Sequence, residues 1–478
     1  MKSWLIVAYA WQAFAAMIGA IMRLNGEVSM PVNRRKLACE DEVGGLVSRR
    51  DFIGATVAAG MAGACGAPST ETDTGSAAVP DIETLTAAIE EKVERDNIYM
   101  RLLGVKAHLP GHGHATALGG SRMPTEVIEA MQEANDYFVM MDELTVAAGK
   151  RAAEVVKAEA ALITSGASGG LLLGTAACLT GNDEEKMRAL PNPTWMKREC
   201  IIQKAHRYPY DFALQVAGAT IVEVEGRAQL LNAITERTAL IFGLPRHVAL
   251  SGTMAAEVLQ PPELIEIAKQ ADVSVMIDGA SRLPPTGNLT IFNELGADLV
   301  VVSGGKGLRG PQSTGILSGR ADLIEAARKQ AAPNDLIGRG MKVGKEEIIG
   351  LVVALNRYAQ FDHVAERAVW KQKAEYLATE LQGIDSFTAE VVDDNERAPY
   401  VEIDWDQGVI PMTHQEVRDH LRRRPEQRVA LSSLFGSRRI QTRCMRDGEE
   451  VLVARRLREF FTEGYKAAAE GEAPAASL

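Results

Sequence analysis

The sequence predicts an α/β chain: a large domain on a mainly parallel sheet, followed by a smaller C-terminal α+β domain. Three observations carry this. Short apolar runs of strand length alternate with helical patterns between Ala161 and Leu317, which calls for a parallel sheet covered by helices on both faces. A long amphipathic stretch, Ile348 to Phe361, then leads into a second pattern over Val364 to Thr462. The chain also has 478 residues, 46% hydrophobic and 24% charged, enough to bury more than one core.

Taken in order, apolar residues at helical spacing (Ile82, Leu85, Ile89, Val93) predict a helix within Asp81 to Tyr99. A Gly/His-rich loop follows, His108 to Gly120. Pro124 opens a helix through Asn135, and Leu144 to Ala160 reads as another. Ala161 to Thr164 is a short buried strand, Ser165 to Gly170 a loop of small residues, and Leu171 to Leu179 an apolar helix. Further strands are expected at Cys200–Gln203, Thr220–Val224, Leu240–Gly243, Val273–Ile277, Leu299–Val302 and Thr314–Leu317, with helices at Leu230–Thr235 and Pro262–Gln270 between them. The expected organisation is a targeting region and linker over 1–80, an N-terminal helix with the large domain over 81–345, a bridging helix with the small domain over 346–462, and a frayed tail over 463–478.

The N-terminal region carries two export-like features. Trp4 to Met22 is apolar enough for a signal core or a membrane anchor. Ser48-Arg49-Arg50-Asp51-Phe52-Ile53, running into the Gly/Ala-rich stretch Gly54 to Ala64, resembles a twin-arginine export signal over about 48–66. Translation from Met30 reconciles the two; a true anchor is the alternative. Ala62-Gly63-Ala64-Cys65-Gly66 resembles a weak lipoprotein box, so Cys65 is either lipidated or removed by simple cleavage. Pro68 to Ala78 reads as a linker. The expected location is periplasmic or exported, with membrane contact only through such an anchor or lipid.

A net charge of −11 speaks against a large RNA partner, because phosphate binding draws on Lys and Arg. The five cysteines show no paired spacing for disulfides or zinc. His108, His112 and His114 lack an acidic or cysteine partner nearby in sequence, so no metal is expected.

Three stations fall at the C-terminal ends of expected strands, where open α/β sheets bind ligands. Ser165-Gly166-Ala167-Ser168-Gly169-Gly170 precedes a helix whose first N–H groups suit an anion. Asp278 ends an apolar strand, and a carboxylate there is costly without a cation. Lys306 stands among glycines in Ser303-Gly304-Gly305-Lys306-Gly307-Leu308-Arg309-Gly310-Pro311-Gln312, where desolvation lowers an amine's pKa and readies it as a nucleophile.

In this order the three stations resemble the fold-type-I pyridoxal-phosphate (PLP) enzymes. Gly119-Gly120-Ser121, Ser165-Gly166-Ala167, the Ser303-to-Gln312 run and Gly338-Arg339-Gly340-Met341-Lys342-Val343-Gly344-Lys345-Glu346-Glu347-Ile348 are similar to the branch containing selenocysteine synthase and D-glucosaminate-6-phosphate ammonia-lyase. The resemblance spans roughly Asp96 to Phe461, and the ammonia-lyase-like members match best. It implies a PLP Schiff base on Lys306, which also moves protons; a pyridine-nitrogen contact from Asp278; phosphate contacts from Gly166, Ala167 and Ser168 with Ser303; and ring stacking by His206. It makes Arg339 and Lys342 candidates for gripping a small anionic, amino-acid-like substrate. The resemblance also places His108 to His114 at an active-site entrance loop, with His114 near the substrate as one reading; relatives more often have Asn or a small residue there, which implies a different substrate. Arg443 and Arg446, near the C-terminal strand, read as surface charges, with reach to a substrate carboxylate as the alternative. The fold also implies at least a homodimer.

The expected activity is elimination with ammonia release from an amino acid or amino-sugar acid. The alternatives are a seryl-tRNA selenium transferase, an aminotransferase or racemase of the same fold, and a non-catalytic binding protein. Charge and export oppose the selenium transferase, and intact Lys306 and Asp278 oppose the binding protein.

Overall fold

The computed structural model describes residues 81–245, 257–394, 397–432 and 438–469. The chain divides into two units, Met1–Ala77 and Ala78–Leu478, and the described residues all belong to the second. The twin-arginine-like signal, Cys65 and the linker therefore lie outside the described residues, as does the end of the expected tail. Among the described residues no helix is long and apolar enough to cross a membrane.

The large sheet has seven strands: β2 (Ala160–Ser165), β3 (Glu199–Gln203), β4 (Thr220–Val224), β5 (Thr238–Gly243), β6 (Ser274–Asp278), β7 (Leu299–Ser303) and β8 (Thr314–Gly319). Their spatial order is β2-β8-β7-β6-β5-β3-β4. Only β8 runs against its neighbours, pairing antiparallel with β2 and β7. Along each strand alternate residues go to opposite faces, as the two-residue period of a strand requires. Ile201, Ile241, Val275, Val300 and Ile316 join one core, whereas Ile202, Phe242, Met276, Leu299 and Leu317 join the other. Both cores are apolar, so the strands read as continuous hydrophobic runs.

Helices cover each face. Helices α2 (Met141–Val156), α4 (Pro261–Ala271) and α6 (Lys345–Gln360) pack on the first core. Helices α3 (Gly166–Thr180) and α5 (Ala321–Gln330) pack on the second. Helix α3 is apolar all round and buried along most of its length, which is the pattern of a helix sandwiched inside a core.

A third core belongs to the C-terminal elements: helix α7 (His363–Glu380), the antiparallel strands β9 (Phe387–Val392), β10 (Tyr400–Trp405) and β12 (Arg439–Gln441), and helix α8 (Glu449–Glu459). The N-terminal segment joins this core. Strand β1 (Leu109–Gly111) pairs in parallel with β11 (Val429–Leu431), and helix α1 (Ile82–Glu94) is tied to α8 by the fully buried Arg456, 3.1 Å from both Glu90 and Glu94. The sequence reading grouped this helix with the large domain. The ion pairs that tie it to α8 join residues 366 and 362 positions apart, and nothing local announces them.

Element boundaries differ in instructive ways. The expected helix over Asp81–Tyr99 breaks after Glu94, because Asn97 caps a new turn through Met100 N–H at 3.0 Å. Ser165–Gly170 is not wholly a loop: Gly166, with φ of 66°, already begins α3. The tail beyond Glu463 stays helical through Ala469.

Candidate active site

The C-terminal ends of β2, β6 and β7 share one edge of the sheet, and β8 begins there. Ser165 pairs with Thr314, Ser303 with Gly315, and Asp278 with Val301. The three stations of the sequence therefore meet at one edge. Their assembly depends on close backbone packing: a Cβ on Gly315 would lie 2.5 Å from the Gly166 carbonyl carbon and 2.7 Å from Ala167 N.

Helix α3 starts at this edge without a side-chain cap, so its first-turn N–H groups are offered toward the edge of the sheet, where an anion would be favoured by the helix dipole. Gly166 and Ala167 are half-buried and Ser168 is exposed. Ser303, at the end of β7, is buried.

Asp278 is 8% exposed. One carboxylate oxygen accepts the Ala280 N–H at 2.8 Å and the other accepts the Tyr208 hydroxyl. Tyr208 stacks on Phe242, with planes 14° apart, so this hydroxyl arrives from a fixed ring. Sequence reasoning missed Tyr208, whose partner lies 70 residues away.

Lys306 sits in the turn after β7, half-buried. Burial pushes its amine below the ordinary lysine range; the Asp278 carboxylate opposes this and the Arg443 guanidinium reinforces it. The turn is held by Gly304 N–H donating to Thr314 O at 2.9 Å, Gly310 N–H to Gly304 O at 2.8 Å, and the Ser121 hydroxyl to Gly305 O at 2.9 Å. Gly305 has no room for a side chain, because Gln312 Cα would be 2.4 Å from its Cβ. A lysine held on such a turn is fixed at its backbone and buried at its amine, a combination that suits a nucleophile.

His206 is fully buried. Its Nδ1 faces Gln203 Nε2 at 3.3 Å and accepts the Leu244 N–H at 3.4 Å, which puts the neutral ring's proton on Nε2. Arg339 and Lys342 are exposed, and Arg339 pairs with Asp335 at 3.2 Å. Met341 between them lies near Gly169 at the start of α3. Among the described contacts neither cation meets Lys306 or Asp278.

Arg443 does. Of the two readings open for it in the sequence, surface charge or reach to a carboxylate, the structure favours the second: it follows β12 into the site, where it acts electrostatically on both Lys306 and His114. Its Nη2 lies 2.5 Å from where a Cβ on Gly113 would stand, and its Nε is buried with no hydrogen-bond partner. Burial lowers its pKa. Arg446 remains exposed.

Beside these residues opens a cavity of about 510 Å³, walled by His114, Arg122, Arg309, Glu366, Lys373 and Arg443 among others. Most of its cations are paired: Arg122 with Glu449 at 2.7 Å, Arg309 with Glu366 at 3.3 Å, Lys373 with Asp447 at 2.8 Å. Of the buried and half-buried arginines and lysines in the wall, only Arg443 lacks a carboxylate among the described residues.

Residues 203–339 match the aminotransferase class-V family, a span that includes both Asp278 and Lys306. The chain is 33% identical over 305 residues to a 5'-C-glycyluridine monooxygenase-decarboxylase from a Streptomyces species, covering 61% of this chain and 73% of that one. It is 29% identical over 383 residues to D-glucosaminate-6-phosphate ammonia lyase from Salmonella typhimurium, covering 76% and 97%. A solved structure of a D-glucosaminate-6-phosphate ammonia-lyase superposes with a TM-score of 0.65 at 28% identity, covering 78% of this chain and 99% of that one. The residues at the sheet edge fit the cofactor of such enzymes: uncapped N–H groups for a phosphate, a carboxylate with both oxygens fixed for a ring nitrogen, and a desolvated amine for an aldehyde. The chain belongs to the fold-type-I pyridoxal-phosphate enzymes, in the branch that contains D-glucosaminate-6-phosphate ammonia-lyase and selenocysteine synthase.

Proposed function

We propose that the protein is a PLP-dependent lyase that releases ammonia from an anionic amino acid of the amino-sugar-acid class. The observation that carries this is the meeting of Lys306, Asp278 and the start of α3 at one sheet edge, beside a cavity lined by Arg443, which has no carboxylate partner among the described residues. The similarity to an ammonia lyase over nearly its whole length supports the choice of reaction.

Each residue has a task. Gly166, Ala167 and Ser168, with Ser303, hold the phosphate; Asp278, steadied by Tyr208, holds the pyridine nitrogen; His206 lies along the ring. Bound there, PLP supplies an electron sink beside the substrate's Cα. Lys306 Nζ, pushed below the ordinary lysine range by burial, takes the Cα proton. Arg443 grips the substrate carboxylate, and Arg339 and Lys342 draw an outer anionic group such as a phosphate. Net, R–CH(OH)–CH(NH₃⁺)–COO⁻ becomes R–CH₂–CO–COO⁻ and NH₄⁺: water leaves from the β-carbon and is returned when the imine hydrolyses.

The chain is exported in folded form through the signal at about 48–66 and works as a homodimer. The test of the reaction is holoenzyme with D-glucosaminate 6-phosphate and no keto acceptor. Stoichiometric ammonia and keto acid support the lyase; product formed only with an added keto acid makes it an aminotransferase; retention of seryl-tRNA at physiological salt favours the selenium transferase.

A further inference from the structure

We propose that His114 is a specificity-determining residue that holds a substrate hydroxyl group at the junction between Lys306 and the cavity. This deepens the lyase reading and rests on it.

Position comes first. His114 and Arg443 both line the cavity and both interact electrostatically with Lys306. The cavity abuts the Lys306 turn, because Ser121, which donates to Gly305 O at 2.9 Å, also lines it. The cavity, about 510 Å³, lies within the range that takes a whole small ligand rather than a short side chain.

Charge decides what His114 can recognise. It is faced by Arg443, Arg309, Lys306 and His112, and burial with those neighbours holds its imidazole well below the ordinary histidine pKa. A ring kept neutral among cations is a poor anchor for an anion, and Arg443 already serves that need. A neutral imidazole presents one donor and one acceptor, which matches a hydroxyl.

The ring is also built to stay where it is. His112 Nδ1 faces the Gly113 carbonyl, which can only accept, so Nδ1 carries the proton. His112 Nε2 then accepts from His108 Nε2–H at 3.1 Å. This pair, on the segment whose start is fixed by β1–β11 pairing, steadies the backbone at Gly113, which Arg443 approaches closely and which immediately precedes His114.

The experiment uses reconstituted holoenzyme and titrates the visible cofactor band with amino-acid pairs differing by a β-hydroxyl. The pairs are serine and alanine in both configurations, and D-glucosaminate 6-phosphate with its 3-deoxy analogue. The parent should favour the hydroxylated member of at least one pair by about tenfold, the worth of one buried hydrogen bond. His114→Ala should erase that preference while leaving affinity for the deoxy member within about twofold, and His114→Asn should restore part of it. An unchanged preference in His114→Ala, no preference in the parent, or a variant that disturbs only the unliganded band would each overturn the proposal. Failure of the parent to release ammonia from D-glucosaminate 6-phosphate is a separate result: it removes the sugar-acid reading, while the serine and alanine pairs still judge His114.

Discussion

Replacing Arg443 by methionine separates binding from stability with unusual clarity. In the folded protein Arg443 is half-buried with its Nε enclosed, and among the described residues it has no carboxylate and its Nε no hydrogen-bond partner. An unsatisfied buried polar atom costs about 1–3 kcal/mol, and methionine fills similar space without that cost. The unliganded variant should therefore melt no lower than the parent, and by a degree or more higher. Binding moves the other way. A charge-assisted contact to a carboxylate contributes about 1.5–3 kcal/mol, so kcat/KM should fall roughly 10- to 100-fold. Arg443→Lys should recover only part, because an ammonium cannot reproduce the fork. The assays are a thermal melt of holoenzyme and initial rates of ammonia release. A lower melting temperature with unchanged kcat/KM would refute the reasoning, since Arg443 would then be a structural residue.

Two further predictions follow from the same coordinates. Gly315→Ala places a Cβ 2.5 Å from the Gly166 backbone; with backbone on both sides the clash costs about 1–3 kcal/mol, and equilibrium dialysis should show weaker cofactor retention because the first turn of α3 is displaced. His108, held at about 4 by burial, His112, Arg122 and Arg428, is neutral in the folded chain where the unfolded chain takes up a proton. Below about pH 6.5 the unfolded state therefore binds more protons, and stability falls until about pH 4, by roughly 3 kcal/mol at most. His108→Gln, which keeps a donor toward His112, should flatten part of that acid-side slope in urea melts; an unchanged slope would count against the assignment.

How much of the site could be read in advance depended on range. Lys306 and Asp278 each announce themselves locally, by ending an apolar run in a way that ordinary packing does not explain. The anion loop was legible as small residues before a helix, though not that Gly166 already begins the helix. Tyr208 was not legible, and Arg443 and His114 only as alternatives, because each acquires its role from a partner distant in sequence: Asp278 for Tyr208, Gly113 and Lys306 for Arg443. The reversal of β8 was equally hidden, since a strand buried on both faces is an apolar run whichever way it points. Likewise β1, three residues long, takes its place from β11 rather than from its own sequence.

The most direct test of the central claim is the visible absorption spectrum of reconstituted protein beside Lys306→Ala, before and after borohydride. The account predicts a band in the parent that borohydride bleaches, with the reduced adduct mapping to Lys306 and no such adduct in the variant. A parent that stays colourless after PLP is added, or an adduct on another lysine, would contradict it.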